Sequence, residues 1–294
     1  MIWEKITIEE YLEKDGIRSG LLADIVNKSP LHAMSKEIKL TPAMLEGQLF
    51  HTAVLEPELL PLKAVTPPTV KKGKMNHPSE EWETFLNECY ANNLLTELPN
   101  DIVQKSATTW LNFFRPGVNI IDEAKRLQIE GIQLSISQNR DAEKIIKEAE
   151  KELTAFMTAK FKDQKGNEYK SSLKTRPDLV HPENNYIADL KFVDDAKRFN
   201  PLKFGYDIQS ALHLSMAKLI QGIIPKYYWI VIERSFPHGI ILYSYDRDSE
   251  FHKTAVKKMQ RAISIMQACI VSQHWPNYSP AEVSLNNNPK GYIY

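Results

Sequence analysis

Asp178 follows Pro177, and ten residues then lead to Asp189-Leu190-Lys191. Side chains two apart on a strand share a face, so Asp189 and Lys191 project together. A turn at Pro182-Glu183-Asn184-Asn185 would fold the two flanking segments into a hairpin and bring Asp178 close to Asp189. Two carboxylates converging in a cleft make a hard-cation site suited to Mg²⁺ or Mn²⁺. A lysine beside them can act on water and stabilise negative charge developing on a phosphate. The spacing therefore points to metal-assisted phosphodiester chemistry. Asp-x-Lys by itself is a common solvated strand edge, so the surrounding elements decide its meaning.

Those elements can be read from periodicity. Residues 141–158 place Ile145, Ile146, Ala149, Leu153 and Phe156 at helical spacing. Two strands follow, split by a turn at Asp163-Gln164-Lys165-Gly166-Asn167, the second running over 169–180. A third strand covers 186–192, and a helix covers 202–220. Two more strands lie at 227–233 and 240–245, followed by a long helix over 249–273. The order helix, three strands, helix, two strands, helix describes an α/β core with a mixed sheet. Upstream, Thr41-Pro42 reads as a helix cap followed by proline at the first position. That helix would send Leu45, Leu49 and Val54 to a core and stop near Pro57. Residues 1–62 thus form an N-terminal helical part. Residues 63–140 read as a helical insertion or lid, with an exposed loop at Lys71-Lys72-Gly73-Lys74 and helices over 80–92 and 101–114. Residues 141–276 form the core, and 277–294 a loose tail.

The Pro-Asp at the end of one strand and the Asp-Leu-Lys on the next make the PD-(D/E)xK signature of a phosphodiesterase superfamily. Gly47-Gln48-Leu49-Phe50-His51 resembles the Gly-xxx-His element of RecB-like nucleases, and Tyr206-Asp207-Ile208-Gln209 resembles their Tyr/Gln element. Together with Ser29-Pro30-Leu31-His32 and Lys174-Thr175-Arg176, these motifs resemble RecE-type (exonuclease VIII-like) exonucleases from about residue 20 to about residue 275. The resemblance is weak across 63–140. It implies a restriction-endonuclease-like core, a mixed central sheet flanked by helices, with N-terminal helices and a helical insertion.

The resemblance also implies roles. Asp178, Asp189, the Leu190 carbonyl and His51 would bind one or two Mg²⁺ ions, with Mn²⁺ able to substitute. Lys191 would position the attacking water. Glu152, on the helix before the hairpin, would contact a second metal or water. Gln209 and Tyr206 would orient Lys191 or a phosphate. His213 departs from the pattern, since relatives more often carry an aromatic residue on that helix, and this bears on the outer helix face and not on the metal site. Glu152 lies in a charged run, 147–152, of a kind that usually marks a solvated face. His77, His181, His238 and His252 read as surface residues.

The chain has 37 basic and 37 acidic residues, so bulk positive charge does not drive binding. Local charge is another matter. Lys160, Lys162, Lys165, Lys170, Lys174 and Arg176 precede Asp178 against only Asp163 and Glu168. Lys197, Arg198 and Lys203 follow Lys191. Two basic groups flanking an acidic pocket suit a phosphate backbone, and Lys174, Arg176, Lys197 and Arg198 are the expected DNA contacts. Two cysteines, Cys89 and Cys269, exclude a four-cysteine iron–sulfur or zinc site and fit a reducing compartment. No apolar run reaches the 18 residues that suggest a bilayer span, and no signal-peptide pattern opens the chain.

The implied function is a metal-dependent exonuclease acting on double-stranded DNA ends, 5′ to 3′, to leave single strands for recombination. A ring-shaped homo-oligomer, a single-strand annealing recombinase as partner, no membrane, and a bacterial cytosolic location with phage or prophage origin come with it. The alternatives are another RecB-like nuclease (an endonuclease or single-strand nuclease) and a DNA-end-binding module with a silent nuclease fold.

Overall fold

The computed structural model describes residues 2–35, 41–68, 80–97, 113–162, 166–183 and 185–278. The expected loop at 71–74, most of the expected helix at 101–114, the turn residues 163–165 and the tail from 279 lie outside the described residues, as do the side chains of Lys160 and Lys162. The chain divides into two compact units. One comprises residues 1–39, 141–232 and 240–294; the other comprises 40–140 and 233–239.

The first unit opens with α1 (Ile8–Glu13), α2 (Ser19–Asn27) and α3 (Pro30–Met34). Its main sheet has five strands: β3 (Glu150–Lys151), β6 (Leu179–His181), β7 (Tyr186–Val193), β8 (Lys226–Glu233) and β9 (Ile240–Tyr245), in that spatial order. β3–β6, β6–β7 and β8–β9 pair antiparallel. β7 reaches β8 through helix α9 (Tyr206–Gln221), the crossover that parallel neighbours require, so the sheet is mixed. A second, two-stranded sheet pairs β4 (Ala155–Lys162) with β5 (Glu168–Thr175). Helix α10 (Glu250–Ser272) follows β9.

Two cores meet on α9. Its Ile208, Ala211, Leu212 and Met216 pack with Leu22 and Ile25 of α2 and with Met259 and Met266 of α10. Its Leu214 and Ala217 pack with Val180, Ile187, Trp229 and Val231 of the sheet. A helix covered on both sides is apolar nearly all round, as this sequence is. β7 is buried continuously from Tyr186 to Leu190, which explains its unbroken apolar run apart from Asp189.

The other unit holds α4 (Pro42–Leu55), α5 (Leu60–Lys63), β1 (Ala64–Val65), α6 (Glu80–Ala91), β2 (Asn119–Ile120) and α7 (Glu123–Gln138). The α4 cap is as the sequence reads: Thr41 Oγ1 accepts from the Met44 amide at 3.3 Å, and Pro42 opens the helix. Leu49 and Val54 are buried, whereas Leu45 is exposed. α7 has no counterpart among the expected elements. It buries Ile129, Ile132 and Ile136, but exposed Leu127 and Leu134 blur that stripe.

Three sequence expectations need correction. The helix begun at 141 ends at Glu148 (α8, Arg140–Glu148), because Glu150 and Lys151 pair with β6. The strand expected over 169–180 breaks at Arg176-Pro177, where proline cannot donate to a ladder, so its halves join different sheets. His238 and His252 are buried rather than surface residues.

Candidate active site

The β6–β7 hairpin sets the register. Leu179 faces Ala188 and Val180 faces Ile187, so one further step brings Asp178 beside Asp189. Two hydrogen bonds fix that pair. The Leu190 amide donates to Asp178 Oδ2 at 2.7 Å, and the Asp178 amide donates to Asp189 Oδ1 at 3.3 Å. Asp189 is fully buried. Its Oδ2 accepts from Tyr227 Oη at 2.7 Å and from Lys191 Nζ at 3.2 Å. Behind it, His213 Nδ1 sits 3.1 Å from Tyr227 Oη and 3.9 Å from Asp189 Oδ2. On the other side, Lys191 Nζ lies 4.7 Å from the centre of the Tyr206 ring. Tyr206 in turn stacks on Phe199, with ring centres 5.9 Å apart.

Glu152 is held from two directions. Its amide donates to the Asp178 carbonyl at 2.9 Å, and its carboxylate accepts from Arg176 Nε. Its backbone is left-handed, with φ +59°, so it sits after β3 and not on the preceding helix as expected. A carboxylate oxygen of Glu152 comes within 4.8 Å of one of Asp178.

The electrostatics follow from burying like charges together. Desolvation, then the charge of Asp189, push the Asp178 carboxyl up to about 8. Burial would also raise Asp189, but Lys191, His213 and the Tyr227 hydroxyl outweigh it and hold this carboxyl low. Burial pulls the Lys191 ammonium down, and the two aspartates more than offset it, so Lys191 stays charged. Burial keeps His213 neutral, lowered to about 4. A carboxyl pushed up by burial and by a neighbouring carboxylate is a place where a divalent cation would relieve repulsion. Glu152 and Asp178 offer hard carboxylate oxygens within 4.8 Å of one another. The residues present fit Mg²⁺ or Mn²⁺.

The expected basic contacts separate into two groups. Lys174 is buried, and its ammonium donates to the carbonyls of Tyr11 at 2.8 Å, Leu12 at 3.3 Å and Lys14. It thereby satisfies the orphan carbonyls at the end of α1, and it is withdrawn from the expected DNA-facing set. Arg176 is directed inward to Glu152 and, at 2.8 Å, to the Ile6 carbonyl. Lys197 and Arg198 are exposed, Arg198 pairing with Asp195 at 3.3 Å. Gln209 is half-buried one turn beyond Tyr206. His51 stands half-buried on α4, in the other unit.

Two residues that touch Asp189 escaped the sequence reading. Tyr227 gave one signal: a phenol inside an otherwise apolar strand needs a buried partner. His213 was expected on an outer helix face, but α9 has no such face and buries it behind Asp189.

Residues 134–283 match the family model described as PDDEXK-like domain of unknown function (DUF3799). No curated protein matches the chain. Among solved structures, an exonuclease-like protein from Eubacterium rectale aligns with a TM-score of 0.53 and 13% identity, covering 99% of this chain and 96% of the other. At that identity the likeness speaks to fold alone. A phage-related exonuclease from Haemophilus somnus 129PT, at 13% identity over 90% of this chain and 100% of the other, has a TM-score of 0.32, too low to carry an argument. Among the described residues, no helix is long and apolar enough to cross a membrane.

Proposed function

The chain belongs to the PDDEXK-like family (DUF3799), and from that premise we propose that it is a metal-dependent deoxyribonuclease of the RecE type. The observation that carries this reading is the pair of half-buried Asp178 and fully buried Asp189, joined through hydrogen bonds, with the charged Lys191 bonded to Asp189. Lys191 balances only one of the two carboxylates, and Asp178 is held protonated until something else, such as a divalent cation, offsets its charge.

In this reading Asp178, Asp189 and the Leu190 carbonyl hold the ion, with Glu152 at a second ion or at water. His51 enters as a ligand through the family resemblance. A divalent cation held there would lower the pKa of water and neutralise charge on the phosphate. Lys191, a point charge on a flexible stem, orients the attacking water and donates to a phosphate oxygen as charge builds. The Tyr206 ring under the ammonium limits where that stem can swing, and Gln209 lies one turn away to bind lysine or phosphate. Lys197 and Arg198 hold the DNA backbone.

The finer assignments are exonucleolytic attack on duplex ends, 5′-to-3′ polarity, a bacterial cytosolic setting of phage or prophage origin, and supply of single strands to an annealing recombinase. They rest on the RecE resemblance. So does a ring-shaped homo-oligomer, which has a physical rationale as well. A chain of zero net charge has little long-range hold on DNA, and enclosure replaces affinity with topology. Light scattering with and without DNA tests the ring; a strict monomer that degrades long duplex processively would exclude it.

The test of activity compares linear blunt duplex with covalently closed circles in Mg²⁺. Nucleotide release from linear DNA alone supports the exonuclease. Cutting of circles makes it an endonuclease. Binding of ends without hydrolysis in Mg²⁺ or Mn²⁺ makes it an end-binding module.

A further inference from the structure

Between Lys191 and α9 the chain makes a turn, residues 200–205, that places a large aromatic ring in solvent. Phe204 is 63% exposed. Its ring centre lies 5.7 Å from that of Tyr206, the ring under Lys191 Nζ. Lys203 Nζ lies 5.2 Å from the centre of the Phe204 ring. Lys197 and Lys203 are exposed and form no ion pair among the described residues. Leu202, beside them, is 49% exposed.

The turn is fixed. Asn200 Oδ1 accepts from the Leu202 amide at 3.0 Å, and the Asn200 carbonyl accepts from the Lys203 amide at 3.2 Å. The Asp207 amide donates to the Pro201 carbonyl at 3.3 Å. Gly205 has φ +74°, and a Cβ there would meet the Ala23 Cβ of α2 at 2.5 Å, so only glycine lets the turn lie against that helix. Rigid presentation matters: an exposed aromatic already held in place loses little entropy when something stacks on it.

A lone exposed phenylalanine needs no explanation. Phe204 differs because its ring neighbours Tyr206, the ring under the candidate catalytic lysine, and because the exposed Lys203 lies over it, with Lys197 exposed earlier in the same connection. Cations spaced along a backbone path beside an aromatic platform are what a single-stranded nucleic acid engages: phosphates meet the ammonium groups, and an unstacked base meets the ring. An apolar peptide would leave those cations without partners. We propose that Phe204 is a base-stacking residue that receives an unpaired nucleotide of the DNA substrate, with Lys197 and Lys203 on its phosphates. This rests on the nuclease reading for the identity of the substrate, and it adds that the strand is locally unpaired where it meets the site.

The test uses the full chain in EDTA with short single-stranded oligonucleotides: one carrying 2-aminopurine and one made entirely of abasic sites. Phe204→Ala should weaken binding of the base-containing strand by about tenfold to a hundredfold and remove the 2-aminopurine quench. Its affinity for the abasic strand should stay that of the native protein. Phe204→Trp should restore binding and show quenched tryptophan emission on adding DNA. Equal affinity of Phe204→Ala and native protein for the base-containing strand overturns the proposal. So does a matching loss on the abasic strand, which would make the residue structural. A quench lost in Phe204→Ala by a protein that hydrolyses nothing in Mg²⁺ or Mn²⁺ would sustain the stacking site and defeat the nuclease reading. Hydrolysis with no effect of Phe204→Ala on binding would do the reverse.

Discussion

The end of β7 and the first turns of α7 are built from the same ingredients, two carboxylates and one cation. On α7, Arg126 forks between Glu123, at 2.8 Å from Nε, and Glu130 one turn on. All three are exposed, water screens them, and such pairs contribute little. At β7 the carboxylates come from the strand and from the residue before β6, each accepts a backbone amide of the facing segment, and Asp189 is fully buried beside half-buried Asp178 and Lys191. There the like charges cannot both ionise freely, and Asp178 is driven up. The difference is burial and register rather than composition. A helix surface lets each charge find water; a buried hairpin end forces charges to find each other, or an ion.

The largest expected effect comes from Asp189→Asn, which keeps the shape and the Tyr227 contact but removes the charge. Hydrolysis should fall by about 10³-fold, the scale of losing one preorganised electrostatic group, with the fold intact by circular dichroism. Asp189→Ala is a poorer probe. It strands the Tyr227 hydroxyl and the buried Lys191 charge, so it should also lower stability. Lys191→Ala comes next. It should reduce the rate far more than the affinity for Mn²⁺, since an ammonium cannot bind a cation; calorimetry showing both lost in proportion would remove Lys191 from its role.

Tyr227→Phe sharpens the contrast from behind the site. It deletes the hydroxyl that donates to Asp189 and that His213 Nδ1 meets, and should cost about tenfold to a hundredfold in metal affinity. It should also cost about 1–3 kcal/mol of stability. A neutral outcome would mean that Asp189 needs no support from β8.

The pH dependence follows from Asp178. Its folded pKa, about 8, lies above the unfolded carboxylate value. The protonated form therefore favours the fold. That contribution is complete below the unfolded pKa, about 4, and is lost as pH rises through about 8. Thermal melts in EDTA should show stability declining across this window, with Asp178→Asn flattening the decline and Mg²⁺ offsetting it. Smallest of all, Arg126→Ala on α7 should leave both melting temperature and activity unchanged within error; a clear loss would dissolve the contrast between the two regions.

Asp178, Asp189 and Lys191 were legible because a strand's period of two and a short hairpin are local rules. The Thr41 cap and the mixed sheet were legible for the same reason. Tyr227 and His213 were not, since their partner is 38 and 24 residues away and only the β7–α9–β8 crossover brings them to it. Glu152 was placed on a helix because the charged run before it is helical in pattern; pairing of Glu150 and Lys151 with β6 overrides that propensity. Lys174 looked like a DNA contact because charge is visible in sequence, while the carbonyls it caps on α1, 160 residues away, are not. Local periodicity wrote the motif, and tertiary contacts chose its supporting cast.

The central claim is that the carboxylates of half-buried Asp178, just before β6, and buried Asp189, in β7, hold a divalent cation that the exposed cluster on α7 cannot. Calorimetric titration of Mn²⁺ into the native protein, Asp178→Asn, Asp189→Asn and a Glu123→Gln/Glu130→Gln double variant tests it directly. The account predicts binding by the native protein and the double variant, and its loss in both aspartate variants. Binding that survives Asp178→Asn and Asp189→Asn, or that disappears in the α7 variant alone, would contradict it.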